Sequence, residues 1–215
     1  NIDCTTEMIA VDSSKGACTE TLNAQNDVAI FVSGNKRIIS SNNIPNHKVG
    51  IFGNISGALN PNTILPQNNT YEIDLNPSKA SSVTQLQSNG PKFSFGVLLN
   101  GVELDPVAAE PWPHTNPAGS GYNWGWNLEA TMAGLGLDCN NAHVQPTGKY
   151  HYHGTPIEYL RNNFNVIIGE TTQMSIIGWA ADGFPVYYHY GHIDAHDGSS
   201  SLSLLNPSYR LKAGE

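Results

Sequence analysis

Basic residues are scarce in this chain: 10 Lys and Arg stand against 18 Asp and Glu in 215 residues, a formal net charge of −8. A phosphate backbone needs a basic stripe to displace its counterions, so nucleic acid is excluded as an expected partner. An anionic membrane surface is disfavoured for the same reason. No run approaches the ~20 apolar residues that cross a bilayer, so no membrane span is expected. Charge of either sign is low, at 13% of residues. Aromatic residues are nevertheless spread along the whole chain, which does not fit a disordered, charge-solvated coil. No P-loop, dinucleotide fingerprint or Gly-x-Ser-x-Gly elbow occurs in a fitting context, which removes the commonest nucleotide and hydrolase chemistries.

Cysteine is also rare, with three in the chain. Cys4 and Cys18 lie close together in the N-terminal segment 1–25, and a short disulfide loop between them is expected in an oxidising compartment. Cys139 is then left over, as a buried thiol or as the partner of a cysteine elsewhere. The chain starts at Asn1 rather than Met and reads as a mature or trimmed product. Two sequons, Asn54-Ile55-Ser56 and Asn68-Asn69-Thr70, suit an extracellular or periplasmic, secreted glycoprotein.

What is abundant is Gly, with 21 residues, and Pro, with 13. Such a composition favours short strands and tight turns over long helices. The expected fold is mainly β: sandwich-like antiparallel sheets with two short helices and long loops, in a single domain over 1–215. Val28–Ser33 and Lys36–Ser40 flank Gly34-Asn35, a two-residue hairpin signal. Further strands are expected at Lys48–Phe52, Tyr71–Leu75, Phe93–Leu99, Val102–Leu104, Asn165–Ile168, Gln173–Ala181 and Phe184–Tyr190. Asp105–Tyr122, with Pro106, Pro111, Pro113 and Pro117, reads as a long loop. One helix is expected over Asn127–Ala133. A second opens at Thr155-Pro156-Ile157-Glu158, with Thr155 as cap, Pro156 first and Glu158 closing a capping box.

The segment Asn140–Gly154 carries the clearest chemistry. If Pro146-Thr147-Gly148 is a three-residue hairpin loop, Val144 faces Tyr150, His143 faces His151 and Asn141 faces His153. Opposed residues, and residues two apart, share a sheet face. His143, His151 and His153 then project to one side, and Ala142, Val144, Tyr150 and Tyr152 to the other, toward a core. Three imidazoles so placed can bind a divalent transition metal, copper or zinc, and leave a position for solvent. The argument depends on register, because a two-residue loop sets His143 against Tyr152 and breaks the triad.

Tyr150-His151-Tyr152-His153 resembles the signature of the YHYH-domain family. Asn140-Asn141-Ala142-His143-Val144-Gln145-Pro146, Ile177-Gly178-Trp179-Ala180-Ala181-Asp182-Gly183-Phe184-Pro185, Leu99-Asn100-Gly101-Val102 with Asp105-Pro106, and Ser208-Tyr209-Arg210-Leu211-Lys212 are similar to further blocks of it, in order, over about 93–215. The resemblance implies an extracytoplasmic domain without a settled activity. It also implies a chain truncated or processed after its Tyr-Arg-Leu block, since members usually continue.

Asp182 and Glu129 are the candidate catalytic acids or bases. The local alternatives are turn chemistry for Asp182 in Asp182-Gly183 and a helix-start carboxylate for Glu129. His189, His192 and His196 read as loop histidines, and Asp138, Asn140 and Asn141 as weak oxygen ligands for calcium. Trp112, Tyr122, Trp124 and Trp126 flank the Pro-rich loop, where they either stack on sugars or form core. Three functional readings follow: a secreted metal-binding protein or metalloenzyme; an extracellular carbohydrate, small-molecule or surface-binding module; or a self-associating structural subunit of an extracellular assembly.

Overall fold

In the computed structural model, the described residues are 15–82, 95–105, 111–112, 121, 123–127, 130–131 and 134–206. The fold is mainly β, as expected. Strands β1 (Val28–Ser33), β2 (Lys36–Ser41) and β3 (Asn69–Asp74) form an antiparallel sheet in the order β1-β2-β3. Ser33 pairs with Lys36, so Gly34-Asn35 is a two-residue loop. Gly34, at φ 59°, supplies the positive φ such a turn requires at its first position.

The second sheet holds β4 (Gly96–Leu98), β5 (Glu103–Leu104), β8 (Ala142–Val144), β9 (Tyr150–Tyr152), β10 (Ile176–Ala180) and β11 (Pro185–Tyr187), in the order β11-β10-β4-β5-β9-β8. Its pairs are antiparallel except β5 with β9, where Glu103 stands beside His151 and Leu104 beside Tyr152 in parallel. Two short ribbons complete the described strands: β6 (Pro111–Trp112) with β7 (Asn123–Asn127), and β12 (Tyr190–His192) with β13 (Leu202–Leu204).

The six-stranded sheet is covered on both faces. On one side Leu98, Val102, Ala142, Val144, Tyr150, Tyr152 and Ile177 pack with Tyr159 and Leu160 of helix α1 (Ile157–Phe164). On the other, Val97 and Trp179 meet Ile39 and Ile73 of the three-stranded sheet. The Arg37 guanidinium lies 3.9 Å from the Trp179 ring centre across this contact. The cation sits over the ring face, and both residues are half-buried, conditions that favour a cation–π contact.

Several sequence expectations are corrected. Cys18 bonds to Cys139, not to Cys4, which lies outside the described residues. Proximity along the chain suggested Cys4. The fold instead lays Gly16 beside Asp138 in a parallel bridge, which brings the Cα atoms of Cys18 and Cys139 to 5.6 Å. Among the described residues there is one helix rather than two. Asn127 closes β7, and Ala130 and Thr131 lie in a turn, so none of the described residues of 127–133 is helical. A stretch that short nucleates poorly, and strand pairing takes its first residue.

Helix α1 begins one residue late, at Ile157, with Pro156 as its cap and no side-chain cap from Thr155. The missing acceptor comes from elsewhere: the Asn140 side-chain oxygen takes the Glu158 N–H at 2.8 Å. At its far end Asn165, at φ 54°, and the Val166 N–H donating to the Leu160 carbonyl form a Schellman-type close. Lys48–Phe52 contributes only the Val49–Glu20 bridge, and Asn165–Ile168 forms no strand.

Candidate metal centre

The hairpin β8–β9 has the register that makes the triad. Ala142 pairs with Tyr152, His143 with His151 and Val144 with Tyr150. The Gln145 N–H donates to the Lys149 carbonyl at 2.9 Å, which leaves Pro146-Thr147-Gly148 as the loop. Gly148 sits at φ 86°. That left-handed residue ends a three-residue hairpin loop, and a side chain there would be strained and would also strike Leu65. Below the strands, the His153 N–H donates to the Asn141 carbonyl at 2.7 Å, so His153 stays in step with the pair.

Alternation then sorts the side chains. Tyr150 and Tyr152 are fully buried in the α1-side core. Their hydroxyls are placed by distant residues. Tyr150 donates to Asp138 Oδ2 at 2.8 Å. His47 Nδ1 donates to the Lys48 carbonyl, so its Nε2 accepts the Tyr152 hydroxyl proton at 2.6 Å. Asp138 also accepts the N–H groups of Gly50 and Asn140, both at 2.9 Å. Burial outweighs these donors and pushes its carboxyl up to about 6. Asp138 and Asn140 thus hold the base of the hairpin from within rather than forming an exposed oxygen site. The Asn140 amide donates to Cys18 Sγ, tying the hairpin to the disulfide.

The three histidines converge on the other face. Their ring centres are 4.6–4.9 Å apart. One potential ligand atom from each lies within 4.8 Å of the others. His151 and His153 are 2% and 6% exposed, and His143 is half-buried. Two nitrogens bound to one tetrahedral metal at ~2.0–2.1 Å stand about 3.3 Å apart. His143 Nε2 and His153 Nε2 are already 3.1 Å apart. The cluster can therefore hold a metal after modest ring rotations.

Hydrogen bonding sets the tautomers of the neutral rings. His143 Nδ1 donates to the Leu135 carbonyl at 2.9 Å, which leaves a lone pair on Nε2 when the ring is neutral. His153 must then carry its proton on Nε2 to bond His143. Its Nδ1 is buried and makes no hydrogen bond of good geometry. Burial, followed by the neighbouring His143, pushes His153 down to about 3, with the Asp105 backbone offsetting only part of this. Burial, then His153 and His143, hold His151 well below its usual value. These two rings are thus neutral at pH 7 and available as nitrogen donors. The carbonyl contact of His143 is the kind of outer partner that orients a metal-binding imidazole.

A pair absent from the sequence reading lies beside the triad. Lys149 Nζ contacts both Glu103 carboxylate oxygens, at 2.8 and 2.9 Å. Glu103 stands next to His151 only through the parallel β5–β9 pairing, which no local pattern announces.

The remaining candidates are not gathered here. Asp182 is exposed in the β10–β11 turn, where its carboxylate accepts the Phe184 N–H at 3.4 Å. Glu129, Tyr122 and the side chains of Trp112, Trp124 and Trp126 lie outside the described residues. His189 bonds Thr155 Oγ1 and stacks on Tyr188, His192 donates to the Ser200 carbonyl, and His196 is exposed.

No curated protein and no solved structure matches the chain. Residues 70–215 match the family model described as YHYH protein, a span that contains the hairpin, Glu103 and all of β3 but Asn69. With more than half its length matched, the chain belongs to the YHYH protein family.

Proposed function

We propose that this is a secreted metal-binding protein in which His143, His151 and His153 hold one divalent transition ion, zinc or copper. The observation that carries the reading is the convergence of three imidazoles, two of them buried and held neutral, with one potential ligand atom each within 4.8 Å. Three nitrogen ligands leave one or more coordination positions for water or a small oxygen ligand. A metal held this way supplies Lewis acidity and lowers the pKa of bound water. Secretion is supported by the Cys18–Cys139 disulfide, which persists in oxidising compartments. Among the described residues no helix is long and apolar enough to cross a membrane, which is compatible with that route.

The test is elemental analysis of protein purified without a histidine tag. One equivalent of metal per chain is expected. It is lost in the doubly substituted His151→Ala/His153→Ala protein, which circular dichroism must show to be folded. A folded double variant that keeps its metal overturns the reading.

Self-association is a second reading, supported by the outer strand β1, where Ile30, Phe31 and Val32 are 41%, 51% and 63% exposed. Uncovered apolar edges pair readily with other strands. Light scattering is expected to show oligomers that Phe31→Lys dissociates, and a monodisperse monomer at high concentration overturns it.

A further inference from the structure

The sequon Asn68-Asn69-Thr70 lies at the start of β3, and the strand's pleat decides what it presents. Exposure alternates from Asn68 through Asp74: Asn68, Thr70, Glu72 and Asp74 are exposed, Asn69 and Tyr71 are half-buried, and Ile73 is buried. This is the period of an extended strand with one face on a core. Asn69 turns inward, and its amide donates to the Tyr71 hydroxyl at 3.1 Å. Asn68 and Thr70, two residues apart, therefore share the solvent face. The two groups an N-linked acceptor site requires, the amide and the hydroxyl, lie side by side in water.

The surroundings leave room for a large polar substituent. β3 is the outer strand of its sheet among the described residues. Residues just before Asn68 are already committed elsewhere. The Leu65 N–H donates to the Gly148 carbonyl, and the Gln67 N–H to the Asn42 carbonyl. The Gln67 side chain reaches the Leu65 and Thr147 carbonyls. These contacts hold the backbone into Asn68 without using its side chain as a strut. A sugar chain there would stand beside the open edge of β3 and the exposed Leu65, two features that otherwise invite unwanted pairing.

We propose that Asn68 is an N-glycosylation site carrying an oligosaccharide that shields the outer edge of β3. The proposal shares with the metal reading only the secretory route, not the metal. Nothing in the Asn68 environment depends on the histidines.

The experiment is peptide mapping of the full chain secreted through a eukaryotic endoplasmic reticulum, with and without peptide N-glycosidase in 18O-water. The peptide containing Asn68 is expected to carry glycan and to convert to labelled Asp on release. Asn68→Gln and Thr70→Ala each remove the modification completely, while Thr70→Ser retains it. An intact Cys18–Cys139 bond and unchanged metal content in these variants report a native fold. Unmodified Asn68 in secreted, disulfide-bonded protein overturns the proposal and leaves the metal reading untouched.

Discussion

Replacing both Cys18 and Cys139 by Ser removes the cross-link with the longest reach in the molecule. The two residues are separated by 121 positions. In the chain-entropy account, closing a loop of that size removes about 16 cal/mol/K from the unfolded ensemble, or about 5 kcal/mol at 25 °C. A bond between Cys4 and Cys18 would close a loop worth only about 3 kcal/mol on the same scale. The native state adds local consequences: the Gly16 N–H donates to the Leu137 carbonyl, and the Asn140 amide spans Cys18 Sγ and the Lys48 carbonyl. The double variant is therefore expected to lose about 3–5 kcal/mol, allowing for structure retained by the unfolded chain. Urea denaturation of metal-free protein, followed by tryptophan fluorescence and by circular dichroism, measures the loss, with coincident transitions as the check on two-state behaviour. Cys4→Ser is expected to leave the midpoint unchanged. A double variant within 1 kcal/mol of the parent, or a Cys4→Ser protein as unstable as the double variant, would refute the assigned pairing.

Acid stability is expected to depend on His47, which burial pushes down to about 4 from 6.5. Its contribution, about 3 kcal/mol, is complete above pH 6.5 and is lost as pH falls toward 4, because the unfolded chain binds the proton first. Asp138, raised to about 6, works in the opposite sense and favours the folded state below pH 6, so Asp138→Asn should steepen the acid loss and His47→Gln should flatten it in pH-dependent denaturation. Lys149→Met leaves Glu103 buried without its cation and is expected to cost about 2–3 kcal/mol, less than a fully buried pair because Lys149 is partly exposed. Adding Glu103→Gln should recover part of that loss, and a single Lys149→Met variant as stable as the parent refutes the assigned role. Gly178→Ala would drive a Cβ into the Val97 carbonyl oxygen across β10 and β4, so a loss of about 2–3 kcal/mol is expected, and an unchanged melting temperature would contradict the close strand approach.

What the sequence determined by itself was local. Pro146-Thr147-Gly148 sets a three-residue loop, and the loop length sets the register that faces His143 with His151 and buries Tyr150 and Tyr152 opposite. Gly34-Asn35 sets the first hairpin in the same way. In both cases the turn and the two-residue pleat are written in adjacent residues. Only the tertiary structure decided what lies against those strands: Cys139 beside Cys18, Glu103 in parallel beside His151, Leu135 orienting His143, and His47 meeting the Tyr152 hydroxyl. It also replaced the expected Thr155 cap by Asn140 and drew Asn127 into a strand. The physical reason is common to all of these. A turn is specified by dihedral preferences of three or four residues, whereas a buried polar group needs a partner, and the partner is whichever distant group the packing brings within reach.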